Sequence, residues 1–444
     1  MSEAERMLPA EPLRRFKPYP AYKDSGIEWL REVPAHWEES KVKFLGTYVN
    51  GYPFKPEDWS AEGLPIIRIQ NLTDLNASFN RFAGNVDLRY RVRKGDILIS
   101  WSASLGLFVW TRDEDAWLNQ HIFKVQLSES RITRDFFVWL GTWFIRELQK
   151  ETHGSTMTHL TWGRFGGFRV EIPSDPEQRA IAAFLDRETA RIDALVGKKE
   201  RLIALLHEKR TALITRAVTK GLDPAVPMKD SGVEWLGEIP AHWRSLALKR
   251  IGELQAGAGF PDGEQGILEE ELPFFKVGDM GAVGNGREMR VHQHTVSRET
   301  ARRLGAFVFP ASTVVFAKVG AALLLNRRRL LVRPSCIDNN MMGFIPDDCD
   351  PTWALYWLSG LDMGELANPG AVPSVNEGQM HDTPAAVPPP SEQRVIAAFL
   401  DREMAQLDAL IAKVRDGIDR LDELRTALVS AAVTGKIDVR GEAA

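Results

Sequence analysis

The sequence predicts a mixed α/β protein, of the α+β kind, in which two globular modules are joined by two long helices that form an antiparallel coiled coil. Two repeats support this prediction. A 47-residue segment that begins EQR occurs at 177–223 and again at 392–438, with 27 identical positions at an offset of 215. A second pair, KDSGIEWLREVPAHWE at 23–38 and KDSGVEWLGEIPAHWR at 229–244, shares 12 of 16 positions. The stretches between the repeats diverge, so the chain has a pseudo-twofold internal repeat with two unlike modules.

Both copies of the EQR segment have the pattern of long helices. Ser174 and Pro176 precede the first copy and Ser391 precedes the second, as is typical of helix starts. Apolar residues then recur at alternating steps of four and three over about four heptads, which predicts a coiled-coil seam. The predicted seam residues are Ile181, Leu185, Ile192, Leu195, Leu202, Leu206 and Leu213 in the first copy, and Ile396, Leu400, Leu407, Leu410, Val414, Leu421, Leu424 and Leu428 in the second.

Charge favours pairing of the two helices with each other. The first segment carries ten basic and seven acidic residues, whereas the second carries seven basic and nine acidic residues. We therefore expect antiparallel pairing, with packing of each helix on its own module as the alternative. About 40 helical residues, with a rise of about 1.5 Å each, would form a rod of roughly 60 Å between the modules.

The repeats also predict the domain boundaries. We expect an N-terminal tail at 1–22, a first module at 23–173, a first helical region at 174–223, a second module at 224–390, a second helical region at 391–438 and a C-terminal tail at 439–444. Four tryptophans of the KDSG repeat, Trp29, Trp37, Trp235 and Trp243, are expected to pack where module meets helix, with stacking on nucleic-acid bases as the alternative.

Composition indicates a globular protein of a reducing compartment. Charged residues make up 26% of the chain and hydrophobic residues 44%. The two cysteines, Cys336 and Cys349, form no disulfide framework, which favours a cytoplasmic location. The apolar run 305–326 contains Pro310 and Lys318, so we interpret it as buried strands with a turn and expect no membrane partner.

The sequence contains no recognisable catalytic signature. The phosphate-binding G-x-x-x-x-G-K-[ST] motif, H-E-x-x-H and G-x-S-x-G are all missing. A methyltransferase for amino groups of bases would need an Asn/Asp-Pro-Pro-aromatic clamp, and the nearest runs, at 368–370 and 387–390, lack it. The glycine-rich loop 256–260 aligns with 50–54, which has no G-x-G. We therefore expect no catalytic residue, no metal ligand and no cofactor on this chain.

Basic residues are unevenly distributed along a chain whose net charge is −4. Residues 287–333 hold ten Lys and Arg against two Glu, and residues 81–94 hold five against one Asp. Both stretches precede a strand-like run. This placement predicts a phosphate-contacting surface in each module, with an ordinary solvated face as the alternative.

Side chains that suit the edges of DNA bases recur at matching places in both modules. Arg and Lys match guanine, and Asn and Gln match adenine, because each offers two suitable hydrogen-bonding groups in the major groove. The DNA-binding candidates of the first module are Arg68, Gln70, Asn71, Arg91, Arg93, Lys94, Ser102, Ser104, Asn119, Gln120, Ser155, Thr156 and Thr158. Those of the second are Lys276, Lys318, Asn326, Arg327, Arg328, Arg329, Asn339, Asn340, Ser374 and Asn376.

The motif KDSGxEWLGEIPAHW, followed by a divergent region and EQRxIAAFLD, all twice over, resembles the specificity (S) subunit of type I restriction–modification systems. The resemblance covers nearly the whole chain. It implies two target-recognition domains, each reading one half of a bipartite double-stranded DNA site, and helices that set the spacer. Since the modules diverge, the site would be asymmetric.

The same resemblance implies partners that carry the chemistry. Two modification subunits would bind S-adenosylmethionine and methylate adenine, and restriction/motor subunits would use ATP and Mg. This chain would then be a non-catalytic subunit. Two alternatives stay open: a self-contained DNA methyltransferase or nuclease, against which the missing motifs argue, and a coiled-coil scaffold without DNA contact, against which the paired basic stretches argue.

Overall fold

The computed structural model describes residues 13, 16–27, 30–74, 76–150, 160–368 and 370–442. The chain divides into two compact units: unit 1 comprises Met1–Lys199 with Asp416–Ala444, and unit 2 comprises Glu200–Arg415. Both long helices cross this division, so each unit holds one module and a part of each helix. The six-part domain division stays a prediction.

Unit 1 is built from short strands and a few helices. Its strands are β1 (Tyr22–Asp24), β2 (Glu32–Pro34), β3 (Glu38–Lys41), β4 (Gly46–Asn50), β5 (Leu64–Ile67), β6 (Arg81–Phe82), β7 (Arg91–Val92), β8 (Ile97–Ser100), β9 (Gly106–Val109), β10 (Ala116–Leu118), β11 (Ile122–Leu127) and β12 (Arg169–Ile172). Its helices are α1 (Ile69–Thr73), α2 (Arg134–Lys150) and α3 (Trp162–Gly167), followed by the first long helix, α4 (Asp175–Lys220).

Two four-stranded sheets form the centre of unit 1. One has the strand order β6-β5-β10-β7 and the other β4-β11-β8-β9. Strand β8 consists of four buried residues, as expected for a central strand. The amphipathic helix α2 buries Phe136, Leu140 and Phe144 in the core that also receives Leu185 and Leu428 from the long helices.

Unit 2 repeats this plan with different residues. Its strands are β13 (Met228–Asp230), β14 (Glu238–Pro240), β15 (Arg244–Ala247), β16 (Gly252–Ala256), β17 (Leu272–Phe275), β18 (Glu288–Met289), β19 (Thr295–Val296), β20 (Val314–Ala317), β21 (Arg328–Leu331), β22 (Cys336–Ile337), β23 (Met341–Pro346) and β24 (Pro384–Val387). Its helices are α5 (Arg298–Arg303), α6 (Ala321–Leu324), α7 (Pro351–Ser359), α8 (Met363–Leu366) and α9 (Glu377–Asp382), followed by the second long helix, α10 (Pro390–Val433).

The sheets confirm the internal repeat. The order β4-β11-β8-β9 in unit 1 corresponds to β16-β23-β20-β21 in unit 2, where β18 adds a fifth strand. In the same way β5 pairs with β10 in parallel, as β17 does with β22. The apolar run 305–326 forms strand β20 and the one-turn helix α6. Within the described residues, no helix is both long enough and apolar enough to cross a bilayer.

The two long helices pair antiparallel, as predicted. In unit 1, Asp193 forms an ion pair of 3.5 Å with Arg425, and Lys199 lies against Gly417, so partner numbers fall as residue numbers rise. In unit 2, Arg210 pairs with Asp408. Each unit therefore contains an antiparallel pair of helix segments.

The predicted seam is wrong at three positions near the middle of the helices. Leu195 and Leu202 are each 41% exposed and Leu410 is 43% exposed, whereas the next residue in each case turns inward. Thus Ile411 is only 5% exposed. Each of these leucines is followed by a second apolar residue, so the apolar pattern alone fits two registers. An α-helix with 3.6 residues per turn drifts by about 20° per heptad against a strict repeat of seven, which favours the later residue of each pair.

The repeated motifs form the joints between module and helix. Glu177, the first residue of the EQR motif, accepts a hydrogen bond from Trp37 Nε1 at 3.1 Å and lies 2.9 Å from His36 Nε2. In unit 2, Glu392 holds Trp243 at 3.0 Å and lies 2.8 Å from His242.

The burial of the repeat tryptophans shows which of them pack at a joint and which could be free to stack on bases. Trp37 and Trp243 are fully buried, which confirms packing at the joint. Trp235 is 50% exposed and does not share that role. Trp29 lies outside the described residues.

Candidate nucleic-acid interface

In each unit two parallel strands end at one edge of a sheet, and predicted DNA-binding residues follow directly. In unit 1, Ile67 at the end of β5 lies opposite Leu118 at the end of β10, and Asn119 N donates to Ile67 O at 3.2 Å. The residues after these strands, 68–71 and 119–121, therefore leave the sheet side by side. We call them the first strand-end edge.

Unit 2 has an equivalent edge. Phe275 at the end of β17 lies opposite Ile337 at the end of β22, and Asp338 N donates to Phe275 O at 2.9 Å. Residues 276–281 and 338–340 form this second strand-end edge. The structure thus confirms that the sequence matched these loops correctly between the modules.

A glycine lets a third loop approach each edge. A Cβ atom added to Gly51 would lie 2.0 Å from Asn119 O, and one added to Gly257 would lie 2.0 Å from Asp338 O. No side chain fits at these distances. The glycine-rich loop 256–260 is therefore explained by close packing of backbones.

Two further predicted loops lie against each edge. In unit 1, Trp101 N donates to His121 O at 3.1 Å and Leu160 N donates to Trp101 O at 3.0 Å. In unit 2, Lys318 N donates to Asn340 O at 2.8 Å and Val375 N donates to Lys318 O at 3.0 Å. The loops that contain Ser102 and Ser104, and those that contain Ser374 and Asn376, are joined to the edges in this way.

The predicted residues differ in how accessible their side chains are. Gln70, Ser104, Asn339 and Asn340 are exposed, Gln120, Lys318 and Ser374 are half-buried, and Ser102 is buried. Ser155, Thr156 and Thr158 lie outside the described residues.

Three predicted asparagines are committed to local structure. Asn71 is buried; its Oδ1 accepts from Arg68 N at 3.0 Å and its Nδ2 donates to Ser78 O at 3.0 Å. Asn326 Oδ1 accepts from Met363 N at 2.9 Å. Asn376 caps α9 by accepting from Gln379 N at 2.9 Å. Because these amides already bind neighbouring loop atoms, they are not among the residues that we propose to read DNA.

The basic stretch of the first module does not lie at the strand-end edge. Arg91 Nε lies 2.8 Å from Asp115, and Lys94 Nζ lies 2.7 Å from Asp113. Arg93 is exposed, 4.0 Å from Asp115. Because these residues adjoin the beginning of β10, they lie at the opposite end of that strand from Asn119. The acidic turn before β10 offsets their charge, which weakens the case for a phosphate-binding surface there.

The run of three arginines in unit 2 is largely internal. Arg328 is 4% exposed and donates to the carbonyl oxygens of Leu358 and Leu361, each at 3.1 Å. Arg329 is half-buried and donates to Asn285 O at 3.0 Å. Burial lowers the pKa of both guanidinium groups. Only Arg327 is exposed, so the run is not a basic patch, and alanine replacement of all three would disturb the fold.

Asp338 links the two loops of the second strand-end edge. Its carboxylate accepts hydrogen bonds from Asn340 N at 3.0 Å and from Val277 N at 3.4 Å. Burial raises the pKa of Asp338, although these bonds and nearby Lys276 oppose that effect. The residue therefore positions neighbouring side chains.

Sequence reasoning missed the side chains that hold the edge cations in place. The guanidinium carbon of Arg68 lies 5.5 Å from the ring centroid of Trp59, and its Nη1 donates to Asn80 Oδ1 at 3.2 Å. Lys276 Nζ donates to Gln265 Oε1 at 2.9 Å. The one signal in the sequence was a tryptophan within the polar run PEDWSAEG at 56–63. In the structure this residue, Trp59, is 41% exposed.

The first edge also carries local strain. His121 has a φ of +74°, which is uncommon for a residue other than glycine. Within the described part of the chain, the buried Oδ1 of Asn119 has no hydrogen-bond donor. Strained backbone and unpaired buried acceptors concentrate at functional sites, so both observations favour a binding role for this loop.

The known proteins to which this chain is similar are those that its repeated motifs predict. Residues 34–203 match the family model of the type I restriction modification DNA specificity domain. The specificity subunit of the type I restriction enzyme EcoBI from Escherichia coli is 20% identical over 95% of this chain and 90% of its own length. The MjaVIII specificity subunit of Methanocaldococcus jannaschii is 21% identical over 94% and 97%.

A solved structure shares the fold. It comes from work on complex assembly and conformational transition of the type I R-M system, and it superposes with a TM-score of 0.69 at 15% identity, over 91% of this chain and 99% of that one. The resemblance predicted from the repeated motifs is confirmed.

Proposed function

We propose that this chain, which belongs with the type I restriction–modification specificity subunits and carries their DNA specificity domain at residues 34–203, is the DNA-reading subunit of such a complex. It binds double-stranded DNA at a bipartite site, and each module reads one half. The half-sites differ in sequence because the residues at the two strand-end edges differ.

One observation carries this proposal. In each module two parallel strands end side by side, and a cation follows one strand while amide residues follow the other. The backbone hydrogen bonds that join the two strand ends are equivalent in the two modules. At the equivalent places, the first edge has Arg68, Asn119 and Gln120, and the second has Lys276, Asp338 and Asn339. To recognise two different base sequences, two modules of the same backbone structure must carry different polar side chains, and the two edges do.

The chain also acts as the scaffold of the complex. We propose that two modification subunits bind it, which the internal repeat supports by offering each joint and each helix end twice. These subunits bind S-adenosylmethionine and methylate adenine, while restriction/motor subunits use ATP and Mg. This chain supplies no catalytic residue. Among its described residues, no group of three His, Cys, Asp or Glu side chains could hold a metal ion.

Mapping of methylated adenines in host DNA tests the proposal. DNA from cells with this chain should carry a methylated motif of two short specified parts separated by an unspecified spacer. The motif should vanish when the chain is removed and the modification subunit is kept. A motif that survives this removal would show that another protein determines the specificity.

A further inference from the structure

We propose that Arg68 and Lys276 are the specificity-determining cations of the two modules, that each reads a guanine in its half-site, and that Trp59 and Gln265 position them. This inference rests on the proposed function and names the base and the residues on which recognition depends.

The two cations occupy equivalent places in the fold. Each is the first residue after the strand whose end defines the edge, and each begins a short helical turn. The backbone angles agree closely: φ −108° and ψ 163° at Arg68, φ −102° and ψ 162° at Lys276. In both cases the backbone N–H donates to a side chain three residues later, Asn71 at 3.0 Å and Asp279 at 2.8 Å. The two side chains therefore leave the backbone in the same direction.

Each cation is held by a side chain from the same loop of its module. Trp59 and Gln265 both lie in the segment that leads into the edge strand, β5 in one unit and β17 in the other. The Trp59 ring faces the Arg68 guanidinium at 5.5 Å, and Gln265 Oε1 accepts from Lys276 Nζ at 2.9 Å. Two different contacts thus perform the same task, which is to restrict a long flexible side chain.

The supports are neutral, so the charge of each cation stays available. Among the described residues, neither Arg68 nor Lys276 has a carboxylate within ion-pair distance, whereas Arg91 and Lys94 each have one. Arg68 uses Nη1 to bind Asn80, and its Nη2 donates to none of the described residues. Asp338 is near enough to Lys276 to interact with it electrostatically, but neither cation is engaged in an ion pair among the described residues, so each can bind an external acceptor.

Guanine fits this arrangement better than a phosphate does. Its O6 and N7 atoms form a pair of acceptors in the major groove, which Arg or Lys recognises specifically. A phosphate contact needs no fixed orientation, yet both modules fix their cation. Amide residues follow the neighbouring strand of each edge, Asn119 and Gln120 in unit 1 and Asn339 in unit 2, and amides suit an adjacent base.

Selection from randomised duplex DNA tests this inference on the full chain assembled with its modification subunits. For the unaltered complex, each selected half-motif should contain a guanine. Arg68→Ala should relax one guanine position in one half-motif, with about a tenfold to hundredfold loss of discrimination there, and leave the other half unchanged. Lys276→Ala should do the same in the other half. Arg68→Lys keeps the charge, loses the planar fork, and should weaken discrimination at the same position.

The positioning residues have their own readout. Trp59→Ala should reduce base discrimination at the same position as Arg68→Ala, at an unchanged melting temperature. Trp59→Phe should retain the discrimination because an aromatic ring remains. Gln265→Ala should relax the position read by Lys276. Lys41→Ala, which removes an exposed cation of strand β3 outside the predicted DNA-binding set, is the control and should leave the motif intact.

Different failures have different meanings. If the unaltered complex selects no bipartite motif, the proposed function itself is wrong. If it selects one and Arg68→Ala or Lys276→Ala leaves every position as selective as before, the inference fails. Relaxation at a base other than guanine would overturn the base assignment. Uniform weakening for all sequences, with a smaller salt dependence, would identify the cations as phosphate contacts and also overturn it.

Discussion

Replacing Arg328 by alanine is expected to destabilise unit 2, although its neighbour Arg327 tolerates the same change. Arg328 is 4% exposed and donates to Leu358 O and Leu361 O at 3.1 Å each. Leu358 O also accepts from Leu361 N at 3.3 Å, so only Leu361 O would be left without a donor, at a cost of about 1–3 kcal/mol. Loss of the packing of the buried Arg328 side chain adds to this cost, and we expect a total loss of about 3 kcal/mol. Arg327 is exposed, and its replacement should cost under about 0.5 kcal/mol.

Urea unfolding followed by tryptophan fluorescence measures this difference. Trp353 and Trp357 are buried in helix α7, and Arg328 donates to Leu358 O at the C-terminal end of this helix, so their emission reports on this region. The transition of Arg328→Ala should move to lower urea with an unchanged slope, and that of Arg327→Ala should not move. An Arg328→Ala variant as stable as the parent, but with weaker DNA binding, would refute the reasoning and return Arg328 to the DNA-binding set.

The remaining predictions concern the helices, the edges and pH. Ile411→Asn should destabilise the helix pair by about 2–4 kcal/mol in urea, whereas Leu410→Asn should cost under about 0.5 kcal/mol, since only the first is buried; a larger cost for Leu410→Asn would support the heptad pattern predicted from sequence. Gly257→Ala should disrupt the second edge and its half-site in a DNA selection, since a Cβ would meet Asp338 O at 2.0 Å, whereas Gly259→Ala, with nothing within 4 Å, should be tolerated. The raised pKa of Asp338 means that the folded state binds its proton more tightly than the unfolded state. Stability should therefore fall as pH rises from the ordinary carboxyl range to the raised value, and Asp338→Asn should make this slope shallower in pH-dependent urea unfolding.

The two repeats were enough to predict the architecture. They identify the long helices, the pseudo-twofold repeat and the matching loops, because a repeated motif marks the same structural task twice. Glu177 and Glu392 show this most clearly, since each binds the tryptophan of the other repeated motif at its joint. The seam could be predicted only where a single apolar residue occupies the heptad position. Where two apolar residues are adjacent, as at Leu410 and Ile411, the prediction chose the exposed one.

The site was harder to predict because accessibility depends on contacts distant in sequence. Nothing local distinguishes Arg328, which binds carbonyls some 30 residues away, from exposed Arg327. In the sequence Arg91 and Lys94 have no acidic neighbour, but in the structure the turn that contains Asp113 and Asp115 forms ion pairs with them. Arg68 resembled any loop arginine, because its support by Trp59 follows from the tertiary structure.

Exchange of the first module tests most directly the claim that the two modules read DNA independently. Residues 23–173 are replaced by the corresponding residues of a related subunit with a known site, and methylated adenines are mapped in cells that carry the modification subunits. The account predicts a hybrid motif in which one half changes to that of the donor while the other half stays as in the parent. A change in both halves, or in neither, would contradict it.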